Sequence, residues 1–175
     1  MFIKRGETAL RCAEPDDAKQ IYEWENDREV WRVSDNFTPY SFFQVEQFLL
    51  TNNDLIASHQ LRLMIDFEGK SIGCIDIFDY DAINQRAGLG ILIDKKYRHQ
   101  GHAHEALAMT VEYLFTNVML HQVYCSVDEE NTESQHLFLD AGFESCGRRK
   151  QWKKTQNGYT DVLEYQLINH GQDSN

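Results

Sequence analysis

Arg98, Gly101 and Ala103 stand in the spacing R-x-x-G-x-A, inside the stretch GLGILIDKKYRHQGHAHEALAMTV from Gly88 to Val111. An apolar run, Leu89 to Ile93, leads into this polar loop, and helical spacing follows it. A strand that feeds a helix through a glycine-containing loop points several backbone N–H groups at one spot. The helix N-terminus adds about half a positive charge there, so the place suits a phosphate or pyrophosphate. His99, His102 and His104 crowd the loop. Their neighbours are a phosphate loop and their spacing is poor for a metal, so we expect exposed residues rather than ligands. Protonated, His99 or His102 could meet phosphates. R-x-x-G-x-A alone recurs by chance. Farther along, Asn131, Ser134, Leu137, Phe138, Gly142 and Phe143 spell N-x-x-S-x-x-L-F-x-x-x-G-F, which gives it context.

Ordered elements must position these residues. A short strand is expected at Leu10 to Ala13, and a helix opens at Pro15-Asp16-Asp17 with Ala18, Ile21, Tyr22 and Trp24 on its apolar face. Further helical pieces are Asn26 to Val33 and Ser41 to Leu50, the latter with a serine cap. Strands follow at Leu61 to Phe67 and Ile72 to Phe78 across Glu68-Gly69-Lys70, with a turn from Asp79 to Gln85 and a strand from Ala87 to Ile93. Ala103, Ala106, Leu107, Thr110, Val111, Leu114 and Phe115 keep helical spacing. Val123 to Val127 is a buried strand, and Thr132 to Asp140 a helix ended at Ala141-Gly142-Phe143. Strands near Ser145 to Trp152 and Thr160 to Ile168 close the pattern across Gln156-Asn157-Gly158. The order predicts a mixed α/β or α+β domain over residues 1–168, with a polar, frayed tail at 169–175.

The pairing of R-x-x-G-x-A with N-x-x-S-x-x-L-F-x-x-x-G-F resembles the GNAT superfamily of acyl-CoA-dependent N-acyltransferases, over nearly the whole chain. Trp24-Glu25-Asn26-Asp27, Gln85-Arg86-Ala87 and Gly158-Tyr159-Thr160-Asp161 resemble its ribosomal-protein and polyamine acetyltransferase branch. The resemblance implies a single mixed, mostly antiparallel sheet flanked by helices, with a splayed strand pair at the acetyl-CoA cleft. It implies that Arg98, His99, Gln100, Gly101, His102 and Ala103 cradle the coenzyme A pyrophosphate. Ile91, Leu92 and Ile93 would hold the pantetheine arm, with Asn131 and Ser134 at the start of the next helix and Phe138 beside the sulfur. Asn131 also reads as a plain helix cap.

Acetyl transfer to an amine requires that an ammonium with a pKa of about 10 lose its proton and that the leaving thiolate be stabilised. Many family members place a tyrosine where Phe138 stands and a glutamate where Gly88 stands, so both usual proton-transfer positions are empty here. The coenzyme thiol, with a pKa of about 8.5, can leave unaided while proximity drives the transfer. Alternatively Asp76, Asp79, Tyr80, Tyr124 or Ser134 takes over the proton transfers. A third reading is a non-catalytic acyl-CoA-binding protein of the same fold. Asp76 alternates with Ile75 and Ile77 and faces away from them. Asp76, on its strand, and Trp31 and Glu25, on the wall that the N-terminal helices form in the resembled fold, are candidates for contact with a cationic acceptor. Trp24, Trp31, Phe37, Tyr40 and Phe42 are expected to be mostly core.

Composition sets the surroundings. The formal charge of −11 repels nucleic acid and welcomes a small cation. No apolar run is long enough to span a membrane, and the first residues lack a signal pattern. Cys12, Cys74, Cys125 and Cys146 are widely spaced and read as reduced core thiols of a cytoplasmic protein. A dinucleotide-binding enzyme would require G-x-G-x-x-G and repeated strand–helix units, which are missing. The expectation is an N-acetyltransferase using acetyl-CoA as co-substrate and no metal. Its acceptor is a polyamine, another small amine or a protein N-terminus, and its branch often assembles as dimers or larger rings.

Overall fold

Gly6, in the left-handed region at φ 57°, turns the chain between two short strands, β1 (Ile3–Arg5) and β2 (Thr8–Cys12). The computed structural model describes residues 3–33, 38–155 and 158–172, and only the backbone of 31–33 and 172. One 3-10 turn at Pro15–Asp17 leads into α1 (Ala18–Glu25), and α2 (Arg28–Val33) follows. Ser41 caps α3 (Phe42–Thr51): its hydroxyl accepts from the Gln44 N–H, and the Gln44 side chain accepts from the Ser41 N–H. Then come β3 (Leu61–Phe67), β4 (Lys70–Asp81) and β5 (Arg86–Ile93). The expected turn at Asp79 is shorter, because a bulge carries β4 on to Asp81. Helix α4 (His102–Thr116), β6 (Gln122–Asp128), α5 (Thr132–Asp140), β7 (Glu144–Thr155) and β8 (Gly158–Ile168) complete the chain. The tip expected at Gln156-Asn157 lies outside the described residues. Asn169 is held to the sheet by its N–H donating to the His121 carbonyl at 2.8 Å.

The strands form one sheet in the order β1-β2-β3-β4-β5-β6-β8-β7. Every neighbouring pair is antiparallel except β5 and β6. That parallel pair is joined only at Arg86–Gln122, Ala87–Val123 and Gly88–Tyr124, and beyond Gly88 the two strands part. The expected mixed, mostly antiparallel sheet with a splayed pair is what the chain adopts.

Strand alternation sends side chains to two cores. Leu63, Ile65, Ile75, Ile77, Leu89 and Val123 face the α4 side, packed against Leu107 and Leu114. Met64 and Cys74 face the other side, under Ile21 and Trp24 of α1 and Val45 and Leu49 of α3. Cys74 and Cys125 are buried as expected, but Cys12 and Cys146 are exposed. Trp24 is buried, whereas Tyr40 and Phe42 are exposed, a correction to the expected aromatic core. Phe37 and the Trp31 side chain lie outside the described residues. Among the described residues no helix is long and apolar enough to cross a membrane.

Candidate active site

Gly101, the residue before α4, adopts φ 87°, and His99 adopts φ 59°. These left-handed residues wrap the loop so that the first N–H groups of α4, which have no helical acceptor, lie at its mouth. A Cβ on Gly101 would meet nothing within 4 Å, so the backbone is open on that side. Arg98 is not turned wholly to the mouth: its Nε donates to the Ile93 carbonyl at 3.0 Å, tying the loop to the end of β5. The Gln100 amide donates to the Lys96 carbonyl at 3.2 Å. His102 departs from expectation. Its ring is buried against Phe67 (4.4 Å between centroids) and Tyr97, so its contribution to the loop is its backbone N–H. Ala103 packs on the main core, and His99 stands 3.8 Å from Glu133 on the first turn of α5.

The slot between the parting strands is lined by backbone of Ile91, Leu92 and Ile93 on one side. Ile91 and Ile93 send their side chains into the α4-side core, and Leu92 packs on the other. After β6, Asn131 caps α5 by accepting from the Ser134 N–H at 3.2 Å. Phe138 is buried edge-on against Phe143, with centroids 5.0 Å apart. A slot bounded by free backbone and ending at an open helix N-terminus fits an extended molecule bearing a pyrophosphate.

Phe78 explains the glycine of β5. A Cβ at Gly88 would lie 2.3 Å from the Phe78 ring, and one at Gly90 would lie 3.8 Å from it. The ring therefore lies across the glycines of this strand, in the space a side chain at position 88 would take. Tyr124 faces Gly88 across the last pair of the parallel ladder and meets Phe78 edge-on, at 6.2 Å between centroids. Its hydroxyl donates to the Asp79 carboxylate at 3.4 Å. Burial, then the Asp79 charge, raises the Tyr124 pKa, so the phenol keeps its proton. Asp79 and Tyr124, distant in sequence, thus stand together where the slot begins. Tyr80 is not brought to them; it stacks on His59 and packs against the α4-side core.

On the sheet face opposite α4, α1 and α3 roof a cleft of about 270 Å³ lined by Glu25, Tyr40, Phe48, Arg62, Asp76 and Phe78. Arg62 had no place in the sequence reading. Its Nε and Nη2 donate to the two Asp76 oxygens at 2.6 and 2.8 Å, its Nη1 lies 2.6 Å from Glu25 Oε1, and its guanidinium sits 5.5 Å from the Phe48 centroid. Burial works against its charge, but Asp76 and Glu25 outweigh it and raise the pKa. The available signal was a charge inside the apolar strand Leu61–Phe67. Burial pushes the neighbouring Cys74 thiol up to about 12, and pushes the Cys125 thiol up as well, so both stay neutral.

The sequence profile of the acetyltransferase (GNAT) domain matches residues 8–144. The chain is 27% identical over 161 residues to a spermidine N(1)-acetyltransferase of Escherichia coli K12, covering 92% of this chain and 86% of that protein. The crystal structure of the spermidine N-acetyltransferase from Vibrio cholerae in complex with CoA and spermine superposes with a TM-score of 0.84 at 25% identity, covering 93% of this chain and 95% of the other. A dodecameric structure of that Vibrio cholerae enzyme superposes with a TM-score of 0.80 at 25% identity, over 93% and 94% of the two chains. With the slot, the loop and the sheet order agreeing with the matched sequence, the chain belongs to the GNAT acetyltransferase family.

Proposed function

We propose that this N-acetyltransferase passes the acetyl group of acetyl-CoA directly to a primary amine of a polyamine such as spermidine. The observation that carries the acceptor is the cleft beside Gly88, where Glu25 and Asp76 place two carboxylates against one guanidinium. Acetyl-CoA supplies the acetyl group as a thioester. The loop Arg98, His99, Gln100, Gly101, His102 and Ala103 binds its pyrophosphate through backbone N–H groups. Ile91, Leu92 and Ile93 hold the arm from one side of the slot, and Asn131 and Ser134 from the other, with Phe138 as an apolar floor.

The protein's chemical task is proton handling. Tyr124, whose hydroxyl rests against Asp79, turns that O–H to the departing sulfur and gives up its proton there, and water restores the phenol. Asp76 draws the ammonium in, and proton loss to water follows near it. The buried neutral thiol of Cys125 supports direct transfer over an acyl-cysteine route. The exposed thiols of Cys12 and Cys146 suit a reducing compartment, the cytoplasm. The dodecameric relative supports self-assembly of this chain, which sedimentation measures.

The test incubates the purified protein with acetyl-CoA and a panel of spermidine, spermine, a diamine, an alkyl monoamine and a peptide with a free N-terminus, following free thiol. Spermidine-dependent thiol release is expected. Release with the peptide alone moves the acceptor to protein N-termini. Tight acetyl-CoA binding with no acceptor-dependent release makes the protein a binding module.

A further inference from the structure

Among the described residues, the charged side chains lining the acceptor cleft are Glu25, Arg62 and Asp76, two negative and one positive. Their side chains differ in access: Arg62 is 13% exposed, Glu25 18% and Asp76 34%. The cation is thus the innermost member, and it engages both Asp76 oxygens while reaching Glu25 with its remaining nitrogen. Glu25 comes from the end of α1, Arg62 from β3 and Asp76 from β4, so one guanidinium ties the helical roof to the sheet floor. The Phe48 ring of α3 closes over the guanidinium from a third side. A planar fork with fixed donors can hold two carboxylates in set directions, which a lysine cannot. The neighbouring Cys74 adds no charge, because burial keeps its thiol neutral.

We propose that Arg62 is the positioning residue of the acceptor cleft: it orients Asp76 toward the acceptor and leaves the Glu25–Arg62–Asp76 group one net negative charge, which sets the preference for polycationic over singly charged amines. This rests on the polyamine reading above. When the reacting amine of spermidine has lost its proton, the rest of the molecule stays cationic, whereas an alkyl monoamine retains no charge. Net charge in the cleft therefore acts on the first acceptor and hardly on the second. Removing the guanidinium charge takes this group of three from −1 to −2, and neutralising Glu25 takes it from −1 to 0.

The experiment measures kcat and KM of the full-length protein for spermidine and for an alkyl monoamine of similar length, in the wild type, R62Q, E25Q and the R62Q/E25Q double variant. The ratio of the two kcat/KM values is the readout, with acetyl-CoA affinity and thermal midpoint measured alongside. E25Q is expected to lower the preference for spermidine about tenfold, chiefly through KM, and R62Q to raise it by a similar factor. The double variant, returned to −1 with Asp76 alone, is expected to bring the preference back toward the wild-type value. A purely structural Arg62 would lower both acceptors together and leave the ratio where it was, which overturns the proposal. If R62Q fails to fold, as loss of a buried ion-pair partner can cause, E25Q still decides: an unchanged ratio overturns the proposal. A wild type that acetylates neither amine refutes the polyamine reading itself, whereas a wild type active on spermidine with an unmoved ratio refutes only the role of Arg62.

Discussion

Replacing Gly88 by alanine is expected to destabilise the protein, although alanine is ordinarily the better residue in a strand. The backbone of Gly88 is not in a conformation reserved for glycine, so lower chain entropy in the unfolded state would favour alanine by about 0.5–1 kcal/mol. The added Cβ, however, falls 2.3 Å from the Phe78 ring, a distance that carbon atoms do not tolerate. Phe78 cannot slide freely along the strand, since Tyr124 meets it edge-on and Gly90 lies beneath its other side. Overpacking of this kind costs about 1–3 kcal/mol, and more where neighbours are fixed. For a chain of this size each kcal/mol moves the thermal midpoint by about 2–4 °C. The overpacking cost alone corresponds to a fall of about 2–12 °C by calorimetry, with an unchanged urea m-value. The cycle with Phe78→Ala sharpens the assay. With the ring gone, the added methyl group has space, and the coupling between the two sites is expected to be at least about 1 kcal/mol. A G88A protein as stable as the wild type, or additive effects of G88A and F78A, would refute the packing account. The same reasoning says that Gly88→Glu alone does not restore the family's base; it displaces Phe78 first.

Tyr124→Phe removes the hydroxyl next to Asp79 and is expected to lower kcat about 10–100-fold while KM for spermidine stays within about twofold; the low end reflects a thiolate that leaves readily. Because the phenol pKa is raised, the wild-type kcat should fall only at strongly alkaline pH, and Y124F should lose that limb. Arg11 binds Asp17 with two hydrogen bonds of 2.7 Å and Asp66 with one of 2.8 Å. Burial pushes the Asp17 carboxyl up, yet the Arg11 bonds and a backbone N–H outweigh it and lower its pKa from 3.8. Its stabilising effect is complete above that value and disappears as pH falls through the folded-state pKa, so R11A should flatten the acid limb of a pH–stability curve. Cys12 and Cys146 should titrate with a disulfide reagent in the native protein, and Cys74 and Cys125 only after unfolding.

Much of the frame could be read from residue order because local rules and tertiary needs agree in it. Ser41 with Gln44 forms the expected cap, Glu68 and Gly69 turn β3 into β4, and the helix at Thr132–Asp140 has the predicted bounds. The loop before α4 was legible for the same reason, since Gly101 and the helix start are neighbours in sequence. The acceptor side was less so. Asp76 could be placed on the correct face by alternation, but its partner Arg62 lies on another strand, and only the β3–β4 register joins them. The Gly88 substitution read as a missing base; in space it is room for Phe78. His102 and Tyr80 carried chemistry-bearing side chains near the expected site, yet packing against Phe67 and His59 turned them elsewhere.

A sheet of this size ordinarily has two edges, but the short β5–β6 ladder gives this one an interior pair as well. Edge strands are where unpaired backbone invites the wrong neighbour. Here the interior edges confront each other across a gap. A donor molecule lying in it would act as a surrogate strand, bracing one half of the sheet against the other. Loading would then stabilise the folded chain by mass action, with the thermal midpoint rising with donor concentration.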